Sequence, residues 1–312
     1  MTRTITVGLD GSPESRAAAE WAAREARLRG LPLRVLYVFE SSALLLGQAP
    51  LLGAETVQKW AEWVPFETVE GLRLRHPGIE ISTERGRGDP ARVLAEAADD
   101  AELLVLGSRG FGGAHGFFTG SVSLSVVART TRPVVLVRAG EEAVDEHRMD
   151  PVGIPSTAAP FRPVVVGLDT GGGADGGGGS GGGDAGEAVL EFAFDAAARR
   201  GAPLRVVHAW PAPPLAVRSF YGDAESSALA RERAAALSET VRPWRQKFPQ
   251  VEAVEASRCG SAARVLVTAA RDASLVVVGR RIRTAPYGPH VGHVAHAALH
   301  HVAAPVAVLA HC

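Results

Sequence analysis

Lysine is nearly missing from this chain. Among 312 residues only Lys59 and Lys247 carry an ammonium, and arginine supplies almost all the positive charge. The formal net charge is −1, so no basic excess exists to neutralise phosphates along a duplex, and a nucleic-acid binder is not expected. Neither lysine follows a glycine where a Walker A loop requires one, which excludes that phosphate loop. Cysteine is equally sparse: Cys259 and Cys312 form neither a metal-type spacing nor a disulfide framework. No apolar run approaches the roughly 18 residues of a membrane span. Met1-Thr2-Arg3-Thr4-Ile5 leads straight into a strand pattern, without a charged-then-apolar signal segment. The expectation is a soluble, cytoplasmic protein with no membrane or nucleic-acid partner.

What the chain does contain is itself, twice. Val7-Gly8-Leu9-Asp10 returns as Val166-Gly167-Leu168-Asp169, and Gly30-Leu31-Pro32-Leu33-Arg34-Val35 as Gly201-Ala202-Pro203-Leu204-Arg205-Val206. Ala91-Arg92-Val93-Leu94 returns at Ala263 to Leu266, Val105-Leu106-Gly107 as Val277-Val278-Gly279, and Pro133-Val134-Val135 as Pro305-Val306-Ala307. Five matches in order indicate a tandem duplication. The offset changes by more than one residue only once, because a Gly/Ser/Asp tract over residues 171–186 is inserted in the second copy. Its composition fits neutral low-complexity sequence or a flexible flap equally well. The boundaries predicted are a first domain at 1–140, a linker at 141–160 and a second domain at 161–312.

Within the first copy, strands are expected near residues 4–9, 33–39, 79–84, 103–107 and 133–138. Helices are expected near 13–29, 54–75, 89–100 and 120–130. Ser12-Pro13-Glu14 reads as a helix start, with Ser12 as N-cap, Pro13 at the first position and Glu14 at the positive end. Leu103 to Leu106 is apolar throughout, as for a parallel strand covered on both faces. Strands alternating with helices predict an α/β fold: two tandem doubly wound parallel five-stranded sheets with helices on both faces.

In such a sheet ligands bind beyond the carboxyl ends of the strands. Three segments leave strands there: Asp10-Gly11-Ser12, Gly86-Arg87-Gly88-Asp89-Pro90, and the run from Gly107 to Ser123 with its six glycines. Gly107 and Gly110 are expected to turn with positive φ and to approach a ligand closely. Gly120-Ser121-Val122-Ser123 then opens a helix whose free N–H groups and dipole attract an anion. Each feature also has a plain structural explanation: an Asx turn at Asp10, turn geometry at the glycines, an N-cap at Ser121.

The spacing Gly107-x2-Gly110-x9-Gly120-Ser121, together with Gly-Leu9-Asp10-Gly11-Ser12 and Gly88-x-Pro90-Ala91, resembles the ATP-binding signature of the universal stress protein family. The resemblance covers almost the whole chain as two consecutive domains of that Rossmann-like fold. It implies ATP, with or without Mg2+, as the ligand, and no catalytic residue. It places Asp10 at the ribose or adenine side and Val38 in the adenine pocket. Gly107, Arg109, Gly110, Gly120, Ser121, Val122 and Ser123 would surround ribose and phosphates, with Leu9, Gly11, Ser12, Gly88 and Ser108 in the same loops. A hydrolase would need a placed base and metal ligands, and the sequence places no second carboxylate beside Asp10, so the expected role is regulatory and stress-responsive, with slow ATP hydrolysis possible and not its purpose. The second copy departs from the signature. Ile282 stands in the place of Gly110 and His293 in that of Ser121, so weak or no nucleotide binding is expected there. The apolar final strands, Val134 to Val137 and Val306 to Leu309, suggest edge pairing within one chain, like the dimer of single-domain relatives, with a homodimer as a further option.

Other signals are weaker. Gly86-Arg87-Gly88-Asp89-Pro90-Ala91 matches G-x-G-x-x-A, but it follows the third strand and lacks the acidic residue about 20 positions on. An adenylating ligase would show a serine-glycine-glycine loop or a His-Ile-Gly-His element, and neither is present. A partner-binding module with vestigial nucleotide sites is the remaining alternative. His293, His296 and His300 share helical spacing, but they read as a histidine-rich helix surface, and no metal site is expected. Cys259 reads as a small apolar pocket residue rather than a redox thiol. Trp60, Trp63 and Phe66 read as core or repeat-contact residues, and Phe111, Phe117 and Phe118 as loop packing.

Overall fold

The computed structural model describes residues 3–39, 66–108, 121–169, 184–211, 223–282 and 291–311. The chain divides into two compact units, Met1–Glu142 and Ala143–Cys312. The first unit runs β1 (Thr4–Leu9), α1 (Pro13–Arg29), β2 (Leu33–Phe39), α2 (residues 66–75), β3 (Ile81–Arg87), α3 (Pro90–Asp99), β4 (Ala101–Ser108), α4 (Ser121–Arg129) and β5 (Val134–Arg138). All its strands are parallel, in the order β3-β2-β1-β4-β5. Strand order reverses between β1 and β4, so the loops that follow these two neighbours share one edge of the sheet, the usual ligand position in open α/β sheets.

The second unit repeats the plan: β6 (Val164–Leu168), α5 (Asp184–Arg200), β7 (Leu204–Trp210), α6 (Asp223–Lys247), β8 (Ala253–Cys259), α7 (Ala262–Ala269), β9 (Leu275–Arg281), α8 (His293–His301) and β10 (Val306–His311). Its strands are also parallel, in the order β10-β9-β6-β7-β8.

Central strands are buried on both faces. Ile5, Val7, Leu103, Leu104 and Val105 have no accessible surface, as their unbroken apolar runs require. Helix ends follow local chemistry. Ser12 caps α1 by accepting from Ser15 N at 3.1 Å, and Asp89 caps α3 by accepting from Arg92 N at 2.9 Å. Helix α1 ends at Gly30, φ +63°, with Leu31 N donating to Ala26 O at 3.0 Å; Gly201, φ +57°, ends α5 in the same way. Among the described residues no helix is long and apolar enough to cross a membrane.

Several sequence expectations shift. The third strand spans Ile81–Arg87 rather than 79–84, because its ladder with β2 continues to Val38↔Gly86 and Phe39↔Arg87. The segment read as a linker is tied down. Glu141 receives two bonds from Arg24, at 2.7 and 2.8 Å. Arg148 N donates to Pro160 O at 2.9 Å and Arg162 N to Glu146 O at 2.8 Å. The His147 ring lies 4.0 Å from that of Phe161. Asp184 to Gly186, counted in the glycine tract, already form the first turn of α5; residues 170–183 lie outside the described residues. Phe66 is not a core residue, being 63% exposed, and Trp60 and Trp63 lie outside the described residues.

Candidate functional site

The switch-point edge of the first unit is assembled by four segments: the end of β1, the start of α1, the end of β4 and the start of α4. Gly11 turns the chain with φ +84°, a left-handed conformation that favours glycine. This lets Asp10 fold back on the helix start. Its Oδ1 accepts from Ser12 N at 3.0 Å and from Ser12 Oγ at 2.6 Å. Asp10 N donates to Ser15 Oγ at 3.4 Å, and that hydroxyl donates to Ser12 O at 3.0 Å. Ser15 is buried and connects the Asp10 loop to the helix.

Gly107 has a different job from the one expected. It is not among the glycines with positive φ. A Cβ there would meet Glu14 Cβ at 2.8 Å and Ser15 N at 2.8 Å. The bare Cα therefore lets the first turn of α1 settle against β4. Ser123 Oγ donates to Gly107 O at 2.9 Å, which ties the start of α4 to the same strand end. Beside it, the Ser108 hydroxyl is buried, and among the described residues it has no hydrogen-bond partner. A buried unsatisfied hydroxyl is costly, so a polar ligand reaching it would relieve that cost.

Across β1 and β2 the register runs Leu9↔Tyr37 and then Tyr37↔Arg85. Burial raises the Tyr37 hydroxyl above its ordinary range, the Asp10 carboxylate raises it further, and Arg85 partly opposes them. Tyr37 and Arg85 thus join Asp10 electrostatically, and sequence reasoning missed both. Strand register was the signal that could have found them, since both follow one residue behind the loops already singled out. Val38 points the other way: a Cβ on Gly86 would meet Val38 Cγ2 at 3.4 Å and Val93 Cγ1 of α3 at 2.6 Å. Gly88, φ +124°, lies in the short turn between β3 and α3. Leu9, Val122 and Ser123 flank the same strand and helix ends. Ser121 is the first residue of α4. Arg109, Gly110 and Gly120, with Phe111, Phe117 and Phe118, lie outside the described residues.

The second unit differs at the matching positions. A Cβ on Gly279 would meet the His311 ring at 2.9 Å and Val189 Cγ2 at 3.4 Å, so a side chain occupies the space that α1 closes with backbone in the first unit. Ile282 N donates to His311 O at 2.6 Å. Where Ser108 stands in the first copy, the second has buried Arg280, whose guanidinium burial pushes below its ordinary range. Ser261, in the place of Asp89, makes no side-chain cap. Cys259 is exposed, so the expectation of a small apolar pocket residue there is wrong: it is the last residue of β8, an edge strand. Among the described residues no three His, Cys, Asp or Glu side chains gather to hold a metal ion.

The family model described as the Universal stress protein family matches residues 1–138 and 160–310. Universal stress protein Rv2005c of Mycobacterium tuberculosis is 30% identical over 317 residues, which span 97% of this chain and 96% of that protein. Rv1996 of the same organism is 30% identical over 326 residues, spanning 97% and 94%. In fold, the chain is similar to a universal stress protein of Archaeoglobus fulgidus known from its crystal structure. The TM-score is 0.63 at 16% identity, and 99% of each chain is covered.

Proposed function

The chain belongs to the universal stress protein family, and from that premise we propose that its first unit binds ATP as a regulatory ligand in a cytoplasmic stress response. The observation that carries the proposal is the convergence on Gly107. The α1 start abuts its bare Cα, Ser123 holds its carbonyl, and Ser108 beside it keeps a buried hydroxyl without a partner among the described residues. Two helix starts meeting at one strand end favour an anionic group there. An adenine nucleotide's phosphates fit that set of donors, with Gly107-x2-Gly110-x9-Gly120-Ser121 supplying the loop. Asp10, Tyr37 and Arg85 stand on the β1–β3 side, where a ribose or base would lie. Mg2+ would accompany the triphosphate.

No hydrolytic purpose is proposed, because a hydrolase needs a placed base, metal ligands and an oriented water. Asp10 is engaged with Ser12, and the sequence places no second carboxylate beside it. That engagement also favours the alternative of a partner-binding module with a vestigial site. Titration of the full chain with ATP separates the two, with Gly120→Val as control. Saturable binding that the substitution abolishes supports the proposal; no binding leaves the partner module. The same mixture followed for hours reports any slow hydrolysis.

A further inference from the structure

The second unit carries a feature that nucleotide binding does not use. On α8, His296 and His300 stand four residues apart on a face that the first copy fills with Leu124 and Ala128 at the matching positions. His296 is exposed and His300 half-buried, while Ala295, Ala298 and Leu299 bury the opposite face. The two Nε2 atoms are 3.1 Å apart, with ring centroids at 4.2 Å.

Two imidazole nitrogens bound to one ion at about 2.0–2.1 Å stand about 2.8–3.4 Å apart, for bond angles between a right angle and the tetrahedral value. The observed separation falls inside that window. Spacing i, i+4 on a continuous helix fixes both rings on one rigid backbone, so little ordering is needed on binding. We propose that His296 and His300 form a two-point chelate for a late first-row divalent ion such as Ni2+, Cu2+ or Zn2+. Imidazole selects these ions, whereas Mg2+ and Ca2+ prefer oxygen donors. No third His, Cys, Asp or Glu joins the pair among the described residues. The first-copy counterpart of this helix is α4 (Ser121–Arg129), which has neither histidine, so the two copies offer different side chains at the same place in the fold.

A hydrogen bond between the rings would hold them equally close, and the test distinguishes the two. Untagged full-length protein is titrated with Ni2+, with paramagnetic broadening of histidine ring resonances as a second readout. Binding is expected at one Ni2+ per chain, with the His296 and His300 rings broadened first. His296→Gln or His300→Gln should each weaken it by roughly tenfold or more, while His301→Gln and added Mg2+ leave it unchanged. Both substituted positions reach solvent, so the variants keep their fold. Equal Ni2+ affinity in the original and in the double variant, or ring resonances that Ni2+ leaves untouched, would overturn the proposal.

Discussion

A Cβ at position 107 would stand 2.7 Å from the Glu14 carbonyl carbon and 2.8 Å from the Ser15 nitrogen. Both are backbone atoms of a capped helix start, so neither can swing away as a side-chain tip would. Gly107→Ala must therefore push the first turn of α1 off β4, and Ser12, Ser15 and Asp10 move with it. The expected loss of stability is about 1–3 kcal/mol, read by chemical denaturation, together with weaker ATP binding. Gly30→Ala is the informative contrast: nothing lies within 4 Å of its added Cβ, and only the φ of +63° opposes it. That variant should cost about 1 kcal/mol and leave nucleotide affinity alone. Equal affinity in the two variants would mean that contact at Gly107 does not shape the site.

Between elements, α2 is joined to α1 by Glu20. The carboxylate accepts from His76 Nε2 at 2.9 Å and from the Arg75 guanidinium. Burial alone would raise its pKa, but hydrogen bonds from His76 and Arg75, with the charge of Arg75, outweigh burial and bring it below the ordinary 4.5. A carboxylate depressed in the folded state contributes stability above its unfolded pKa, and that contribution disappears as pH falls through the folded value. Stability measured against Glu20→Gln should therefore differ most above pH 4.5 and converge in acid; a constant difference would refute the link. Elements such as α1 and β4 could be read from the sequence because they announce themselves locally, through Ser12-Pro13 at a cap and four apolar residues in a row. Strand β3 could not be placed as well. It is an edge strand whose Ser82, Thr83, Glu84 and Arg85 are exposed, so its limits are set by pairing with β2 rather than by hydrophobicity. The site was legible to the same degree. Asp10 and Ser12 lie in a recognisable loop and Ser123 in the first turn of α4, whereas the partner of Gly107 is a helix turn more than ninety residues earlier in sequence, and Tyr37 shows only through register.

At the scale of the whole chain, duplication has produced two units of one plan with different chemistry at matching strand ends. The first keeps a glycine against a helix start, a short capped loop after β1 and a buried serine hydroxyl without a partner among the described residues. The second sets the His311 ring against Gly279, buries Arg280 where the serine stood and places Ile282 at the turn. A β-branched residue resists the left-handed backbone that a phosphate loop uses, and a ring in the hollow must leave before any ligand enters. Gly292 opens α8 with φ −55° and without a side-chain cap, so that helix start survives, but Ile282 stands in the place of Gly110 and His293 in that of Ser121. Full-length protein titrated with ATP should therefore saturate at one nucleotide per chain, and Gly120→Val should remove nearly all of it. Two equivalent sites in calorimetry, or half the binding retained after that substitution, would show that the second unit remains competent and that its side chains yield to the ligand.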